Sequence, residues 1–139
     1  MPKFNVSPGI NHVGAYQVSG QPFASGSINA ASAVKISFPF VTRWVIIANH
    51  ATDQVCRVGF SELGVAGESE DAFFRVPPKV TTANDKDMFH QTNRLEFKVS
   101  EIWLSGSNNV DVYAGLTKIP ASSTSTDKGT NWSGSAGVG

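Results

Sequence analysis

The sequence contains a single cysteine, Cys56, among 139 residues. One cysteine excludes an internal disulfide, and its place among the apolar residues of a predicted strand indicates a small buried side chain. Charge is also scarce, because only 16% of the residues are charged and the formal net charge is zero. Without a basic stripe we expect no nucleic-acid partner. So little charge indicates either a β surface rich in Ser, Thr, Asn and Gly or a surface that partners cover.

Long apolar runs are missing as well. No stretch approaches the roughly 20 residues of a transmembrane helix, so we expect no membrane-spanning segment. The first residues lack the apolar core of a signal peptide, and we expect none. The sequence has no internal repeats and no amphipathic helix of useful length. Hydrophobic residues still make up 40% of the chain, which suits one domain with a sizeable core.

Motifs that carry chemistry are equally scarce. His12, His50 and His90 show none of the spacings of a metal site. No Gly-x-Ser-x-Gly elbow stands between a strand and a helix, and no glycine-rich phosphate loop precedes a helix. We therefore expect no enzyme: no catalytic residue, no cofactor and no bound metal.

Two long polar segments, 61–71 and 78–93, each carry an acidic cluster. Oxygen ligands at such spacing could hold Ca²⁺, but the full EF-hand pattern is absent, so solvated charge is the favoured interpretation. Long loops in compact domains are often functional, and binding of a receptor, a fibre or Ca²⁺ by these loops stays open. The clusters comprise Glu68, Glu70 and Asp71 in the first segment, and Asn84, Asp85 and Asp87 in the second.

The stretch from 34 to 60 organises the chain. Val34, Ile36 and Phe38 alternate with polar residues, which is the period of a half-buried strand. Residues 41–48 are apolar on both faces, as in a strand that is covered on both sides. About eight short strands with polar turns predict an all-β sandwich or jelly roll. Residues 19–33 fit either a strand or a loop.

A later alternating segment, 95–99, predicts a further strand. Ile102 and Leu104 continue the apolar set with opposite parity, so we expect a bulge or corner near Ser100. Together with the earlier strands, these residues define one core shared by two sheets. Its expected members are Ile36, Phe38, Val45, Ile47, Val58, Phe60, Phe97, Leu104 and Val112.

The two ends differ from the middle, because they lack strand alternation and are rich in Gly, Pro, Ser or Thr. We expect an N-terminal arm at 1–11, a domain at 12–120 and a Ser/Gly-rich tail at 121–139. Ordering such segments costs about 1–2 kcal/mol per residue, so we expect them to become fixed by contacts with a neighbour. The expected contact anchors are their large apolar side chains: Phe4, Val6, Ile10 and Trp132.

Several short stretches occur in a fixed order along the chain. They are HVGAYQVSG at 12–20 with PF at 22–23 and SGS at 25–27, ISFPFVT at 36–42, RLEFKVSEIWL at 94–104, AGLTKIP at 114–120 and WSGSAG at 132–137. In order and spacing they resemble the single-jelly-roll penton proteins, the vertex capsid proteins of large icosahedral double-stranded DNA viruses, especially algal viruses. The likeness spans most of the chain, and the segment 61–93 departs from it.

The resemblance implies a single eight-stranded antiparallel jelly roll made of two four-stranded sheets. It also implies a homopentamer at each five-fold vertex of a virion assembled in the host cell. The expected partners are other copies of the chain, the major capsid protein and other minor capsid proteins, and no enzymatic activity is implied. Head-to-tail contacts in such a ring are heterologous and close on themselves.

Two alternatives remain open at this point. One is a minor capsid, cement or fibre-head protein, and the other is a carbohydrate-binding β-sandwich. Exposed aromatic side chains would mark the second, and a pentamer, a trimer or a glycan-binding monomer would separate the three. The aromatic candidates are Trp44, Trp103, Trp132 and Tyr113, of which the two in predicted strands, Trp44 and Trp103, fit the core or a subunit interface better.

Overall fold

The computed structural model describes residues 21–66, 71–79, 90–132 and 134–139. These residues form seven β-strands, a short α-helix α1 (Glu62–Ala66) and a 3₁₀ turn (Ala121–Thr124). The strands are β1 (Gln21–Ala30), β2 (Val34–Ser37), β3 (Phe40–Asn49), β4 (Cys56–Gly59), β5 (Phe73–Val76), β6 (Glu101–Ser105) and β7 (Ser107–Pro120).

The strands form two antiparallel sheets. One has three strands in the order β1-β7-β3, and the other has four in the order β2-β6-β4-β5. The predicted all-β fold is therefore confirmed. The predicted pair of four-stranded sheets differs from what is seen, because the first sheet has three regular strands within the part of the chain that is described.

The apolar pattern of residues 34–60 explains the crossing between the sheets that follows β2. β2 lies in the four-stranded sheet and β3 in the three-stranded sheet, and Pro39 stands between them. A proline has no N–H for a ladder, so it suits a crossing point better than a strand interior. Along β3, Val45 and Ile47 are fully buried, whereas Trp44 and Ile46 on the opposite face are half-buried.

The core lies between the inner faces of the two sheets. Of the nine predicted members, all are buried except Phe60 and Phe97, which are half-buried at its margin. Their rings meet edge to face, with centroids 5.3 Å apart. Cys56 is fully buried, as predicted.

Residues 90–99 run antiparallel along the free edge of β3. Val45 and Leu95 exchange backbone hydrogen bonds of 2.8 and 2.9 Å, and Asn49 N–H donates to the carbonyl of His90 at 2.7 Å. The ladder nevertheless consists of isolated bridges, so the prediction of a regular strand at 95–99 is wrong. A backbone bond from Phe97 N–H to the Leu95 carbonyl, 2.9 Å, folds the chain tightly and interrupts the pairing.

The corner predicted near Ser100 is confirmed. Residues before it bond to β3, and the residues after it form β6 in the other sheet, so the buried Ser100 marks the crossing. The chain crosses back at Gly106, between β6 and β7. There φ is +91°, and a Cβ would meet the Val55 carbonyl at 2.8 Å, so both the backbone and the space require glycine.

The C-terminal segment packs against its own domain, unlike the tail expected to need a neighbour. The buried Asn131, at φ +64°, accepts hydrogen bonds at Oδ1 from Ser100 N–H at 2.9 Å, Ser100 Oγ at 2.9 Å and Glu101 N–H at 3.3 Å. Its Nδ2 donates to the Glu101 carbonyl at 3.1 Å. Four polar contacts at one side chain offset part of the entropy cost of ordering this segment.

Two further predictions concern the segments around these strands. The segment 61–71, expected as a loop, contains α1, and Val65 of this helix is fully buried. The strand expected near 12–18 and the residues 67–70 and 80–89, which hold all of the named acidic residues except Asp71, lie outside the described residues.

Candidate functional site

The outer face of the three-stranded sheet carries an aromatic and aliphatic patch. Trp44 and Ile46 of β3 and Tyr113 of β7 form this patch, which we call the apolar sheet face. All three side chains are half-buried, whereas their chain neighbours on the inner face are buried. The alternation of β3 and β7 therefore places large apolar groups on both sides of one sheet.

Strand register brings these side chains together. Ile46 is the direct partner of Tyr113, and Trp44 is the partner of Gly115. With no side chain at Gly115, the Trp44 ring reaches Tyr113, and the two rings meet edge to face at 6.3 Å. On the other side Tyr113 pairs with Ala24 of β1, another small residue. The face therefore has an aromatic pair at its centre with small residues beside it, and Asp111 lies two positions from Tyr113 on the same face.

A polar cluster lies at one end of the same sheet. His50 Nε2 is 2.9 Å from Asp111 Oδ2, and Asp111 Oδ1 accepts a hydrogen bond from Ser27 N–H at 2.8 Å. The rings of His50 and His90 are 5.5 Å apart. The structure therefore brings two of the three histidines together, although 40 positions separate them in the sequence. His12 lies outside the described residues.

The cluster has two members of a hydrolytic triad but lacks the third. A nucleophilic hydroxyl or thiol would need to contact the histidine, and none of the described residues places one on His50. Ser27 contributes its backbone N–H, at a positive φ of 54° where the chain bulges. The arrangement fastens the bulge of β1 to β7, which is a structural role.

Among the described residues we find neither a cluster of metal ligands nor a reactive thiol. Among those residues, no three His, Cys, Asp or Glu side chains are placed to hold a metal ion. Burial raises the pKa of Cys56 from 9.0 to about 12, although a backbone hydrogen bond from Ser105 opposes this. The thiol is therefore protonated at neutral pH and is a poor nucleophile.

A second candidate site is a groove on the outer face of the four-stranded sheet. Its volume is about 270 Å³. The sheet contributes Lys35, Glu101 and Trp103. Residues 60–63, at the start of α1 and just before it, form one wall, and residues from 128–130 and 134–138 form the other. Lys35 Nζ lies 3.7 Å from a Glu101 carboxylate oxygen across neighbouring strands. We call this feature the Trp103 groove.

The predicted contact anchors have mixed positions. Trp132 is half-buried and packs against the domain's own core. Phe4, Val6 and Ile10 lie outside the described residues, so their contacts stay predictions. Sequence reasoning named Trp44, Trp103 and Tyr113 as aromatic candidates but missed the Trp103 groove, because its walls come from segments far apart in the chain.

Comparison of the chain with protein-family models, with curated proteins and with solved structures finds no match. Within the described ranges, no helix is both long and apolar enough to cross a membrane. The assignment of function therefore depends on the geometry of the two surfaces.

Proposed function

We propose that the chain is a structural subunit of an icosahedral virion, of the penton kind that its sequence resembles. It forms a homopentamer at the five-fold vertex, in contact with the major capsid protein and other minor capsid proteins, after assembly in the host cell. It performs no catalysis. The observation that carries this proposal is the apolar sheet face formed by Trp44, Ile46 and Tyr113.

The strand orders support a jelly roll as the fold of this subunit. If residues 90–99 count as a fourth strand beside β3, the sheets read β1-β7-β3-(90–99) and β2-β6-β4-β5. The chain passes between the sheets after β1, β2, β3, β5, residues 90–99 and β6, as two wound Greek keys require. We infer an eight-stranded jelly roll in which the strand at residues 90–99 is irregular. The same fold occurs in proteins of unrelated function, so we infer the function from the residues of the apolar sheet face.

The apolar sheet face has the composition of a subunit interface. Aromatic residues are enriched in interface cores and charged residues are depleted there. Trp and Tyr are also the side chains that most often dominate binding energy, especially when neighbouring contacts exclude water. The central position of Trp44 and Tyr113, with small residues on either side, leaves room for a partner to approach closely.

We propose that the N-terminal arm, residues 1–11, attaches the subunit to neighbouring capsid proteins. The C-terminal segment already packs against its own domain through Asn131 and Trp132, so it has less left to offer a neighbour. The arm residues Phe4, Val6 and Ile10 are the remaining large apolar anchors. We propose that they contact the surrounding capsomers.

Placing a charge in the apolar sheet face should prevent self-association. Ile46→Lys puts an ammonium group beside Tyr113, where burial in an interface would cost several kcal/mol. We expect association to weaken by at least about 100-fold, equivalent to about 3 kcal/mol. Sedimentation velocity of the full chain measures the change, and circular dichroism checks that the sheets are retained.

The matched control inserts the same charge elsewhere. Thr52→Lys changes an exposed residue in the turn after β3, and its assembly should equal that of the parent protein. Unchanged association of Ile46→Lys would show that the apolar sheet face is not the interface. Equal losses in both variants would show a general effect of added charge, which also contradicts the proposal.

A further inference from the structure

The Trp103 groove combines features that assembly through the other sheet does not use. It lies on the outer face of the four-stranded sheet, whereas the apolar sheet face lies on the three-stranded sheet. Two of the most exposed large aliphatic side chains of the described residues line it, Leu63 at 62% and Val138 at 54% exposure. Exposed apolar groups gathered around a cavity are typical of a binding site.

The charges of the groove are balanced. Lys35 and Lys128 supply two positive groups, and Glu62 and Glu101 supply two negative groups. Two cations and two anions in one groove give no net attraction to a charged ligand. They do provide hydrogen-bond donors and acceptors, which a neutral polar ligand with many hydroxyl groups requires.

An aromatic surface completes the groove. Trp103 lies on β6 between Lys35 of β2 and Gly59 of β4, and its side chain is half-buried. No described residue accepts a hydrogen bond from its indole N–H, and this nitrogen is not buried. A tryptophan of this kind offers an apolar ring together with a polar donor at its edge.

We propose that the Trp103 groove binds a neutral saccharide of one or two rings. The C–H face of a sugar ring packs on the Trp103 indole, and its hydroxyl groups bond to the Lys35 and Glu101 side chains. The volume of about 270 Å³ suits such a small ligand better than a long chain. This activity goes beyond the proposed assembly and does not depend on it.

A purely apolar ligand fits the groove less well. It would cover four charged side chains without replacing their hydration, which is costly. A saccharide avoids that cost because its hydroxyl groups both donate and accept. The side chain of Glu101 is 11% exposed and its carboxylate lies 3.7 Å from Lys35 Nζ, so a donor and an acceptor already lie side by side in the groove.

The test uses the ¹⁵N-labelled full chain and two-dimensional NMR. Glucose, galactose, mannose, N-acetylglucosamine and lactose are titrated separately, and the indole signals of the three tryptophans are followed. We expect at least one sugar to shift the Trp103 signal saturably, with a Kd in the millimolar range that suits so small a ligand. The signal of Trp132, outside the groove, should stay in place.

Two site variants and one control complete the design. Trp103→Ala should weaken binding at least about tenfold, measured from the backbone amide signals around the groove, since the ring contact is lost. Glu101→Gln keeps the shape, and its backbone bonds to Asn131 do not involve the side chain, so it should fold and bind several-fold more weakly. Glu96→Gln changes an exposed glutamate outside the groove and should bind like the parent protein.

Two results would overturn the proposal. One is that no sugar shifts the Trp103 signal saturably. If Trp103→Ala in addition alters self-association, the groove is a contact between proteins instead of a saccharide site. The other is full affinity in both site variants. The groove variants leave the apolar sheet face intact, so a protein that binds no saccharide could still assemble as proposed. A protein that does not assemble could likewise still bind a saccharide in the groove.

Discussion

Leu104→Ala is expected to lower the free energy of unfolding by about 3–5 kcal/mol. Leu104 is fully buried at the centre of the four-stranded sheet, where it pairs with Val34 on one side and Val58 on the other. Truncation removes apolar contact and leaves a cavity, because strands paired on both sides cannot close over it. In a domain of this size we expect the melting temperature to fall by roughly 10–20 °C.

A matched leucine provides the control. Leu63 of α1 is 62% exposed, so Leu63→Ala should change the unfolding free energy by no more than about 0.5 kcal/mol. Urea unfolding followed by tryptophan fluorescence gives both values. Phe97→Ala should fall between the two, since Phe97 is half-buried against Phe60 and Phe74. A loss for Leu104→Ala as small as that for Leu63→Ala would contradict the assignment of the core.

Asn49→Ala is the second substitution with a large expected effect. Asn49 is fully buried at the end of β3, and its Nδ2 donates to the Gln54 carbonyl at 2.7 Å and to the Val76 carbonyl at 3.1 Å. Its Oδ1 accepts from Ala51 N–H at 3.2 Å and from Ser107 Oγ at 2.7 Å. One side chain thus joins the three-stranded sheet to β5 of the other sheet.

Removing this amide leaves buried polar groups without partners. At about 1 kcal/mol for each of four hydrogen bonds, we expect Asn49→Ala to cost about 3–4 kcal/mol of stability. Asn49→Asp has nearly the same volume but directs a carboxylate at two carbonyl oxygens, so it should be at least as destabilising at neutral pH. Differential scanning calorimetry compares both with Asn108→Ala, which changes an exposed asparagine. Equal stability of Asn49→Ala and Asn108→Ala would show that the amide does not join the sheets.

Local patterns in the sequence predict much of the fold. Alternation and β-branched residues place β2, β3 and β4, because strand burial repeats every two residues. The change of parity around Ser100 predicts the crossing between sheets, since a strand cannot switch its buried face without a break. These features depend on residues near each other in the chain, which is why they can be read from it.

Features made by distant residues escape such reasoning. Asn49 contacts Ser107, 58 positions away, and His50 contacts Asp111, 61 positions away. No local pattern signals either pair. The order of the strands within each sheet and the Trp103 groove are also not predicted, because both depend on how distant segments of the chain pack.

For the segment 95–99, the sequence predicts a more regular structure than the chain adopts. Its alternation is that of a strand, but the segment lies at a sheet edge, where a partner pairs on one side only. The hydroxyl of Thr42 then accepts from Val99 N–H at 3.1 Å and donates to the Phe97 carbonyl at 2.5 Å. A side chain of β3 thus replaces part of the backbone ladder, and the segment departs from strand geometry while keeping its place.

We propose above all that five copies of this chain assemble with one another. Native mass spectrometry of the full chain, at concentrations up to about 100 µM, tests it most directly, because an association with a Kd of about 1 µM is nearly complete there. We expect a species containing five copies of the chain. A trimer would point instead to a fibre head, and a chain that stays monomeric at every concentration would contradict the claim.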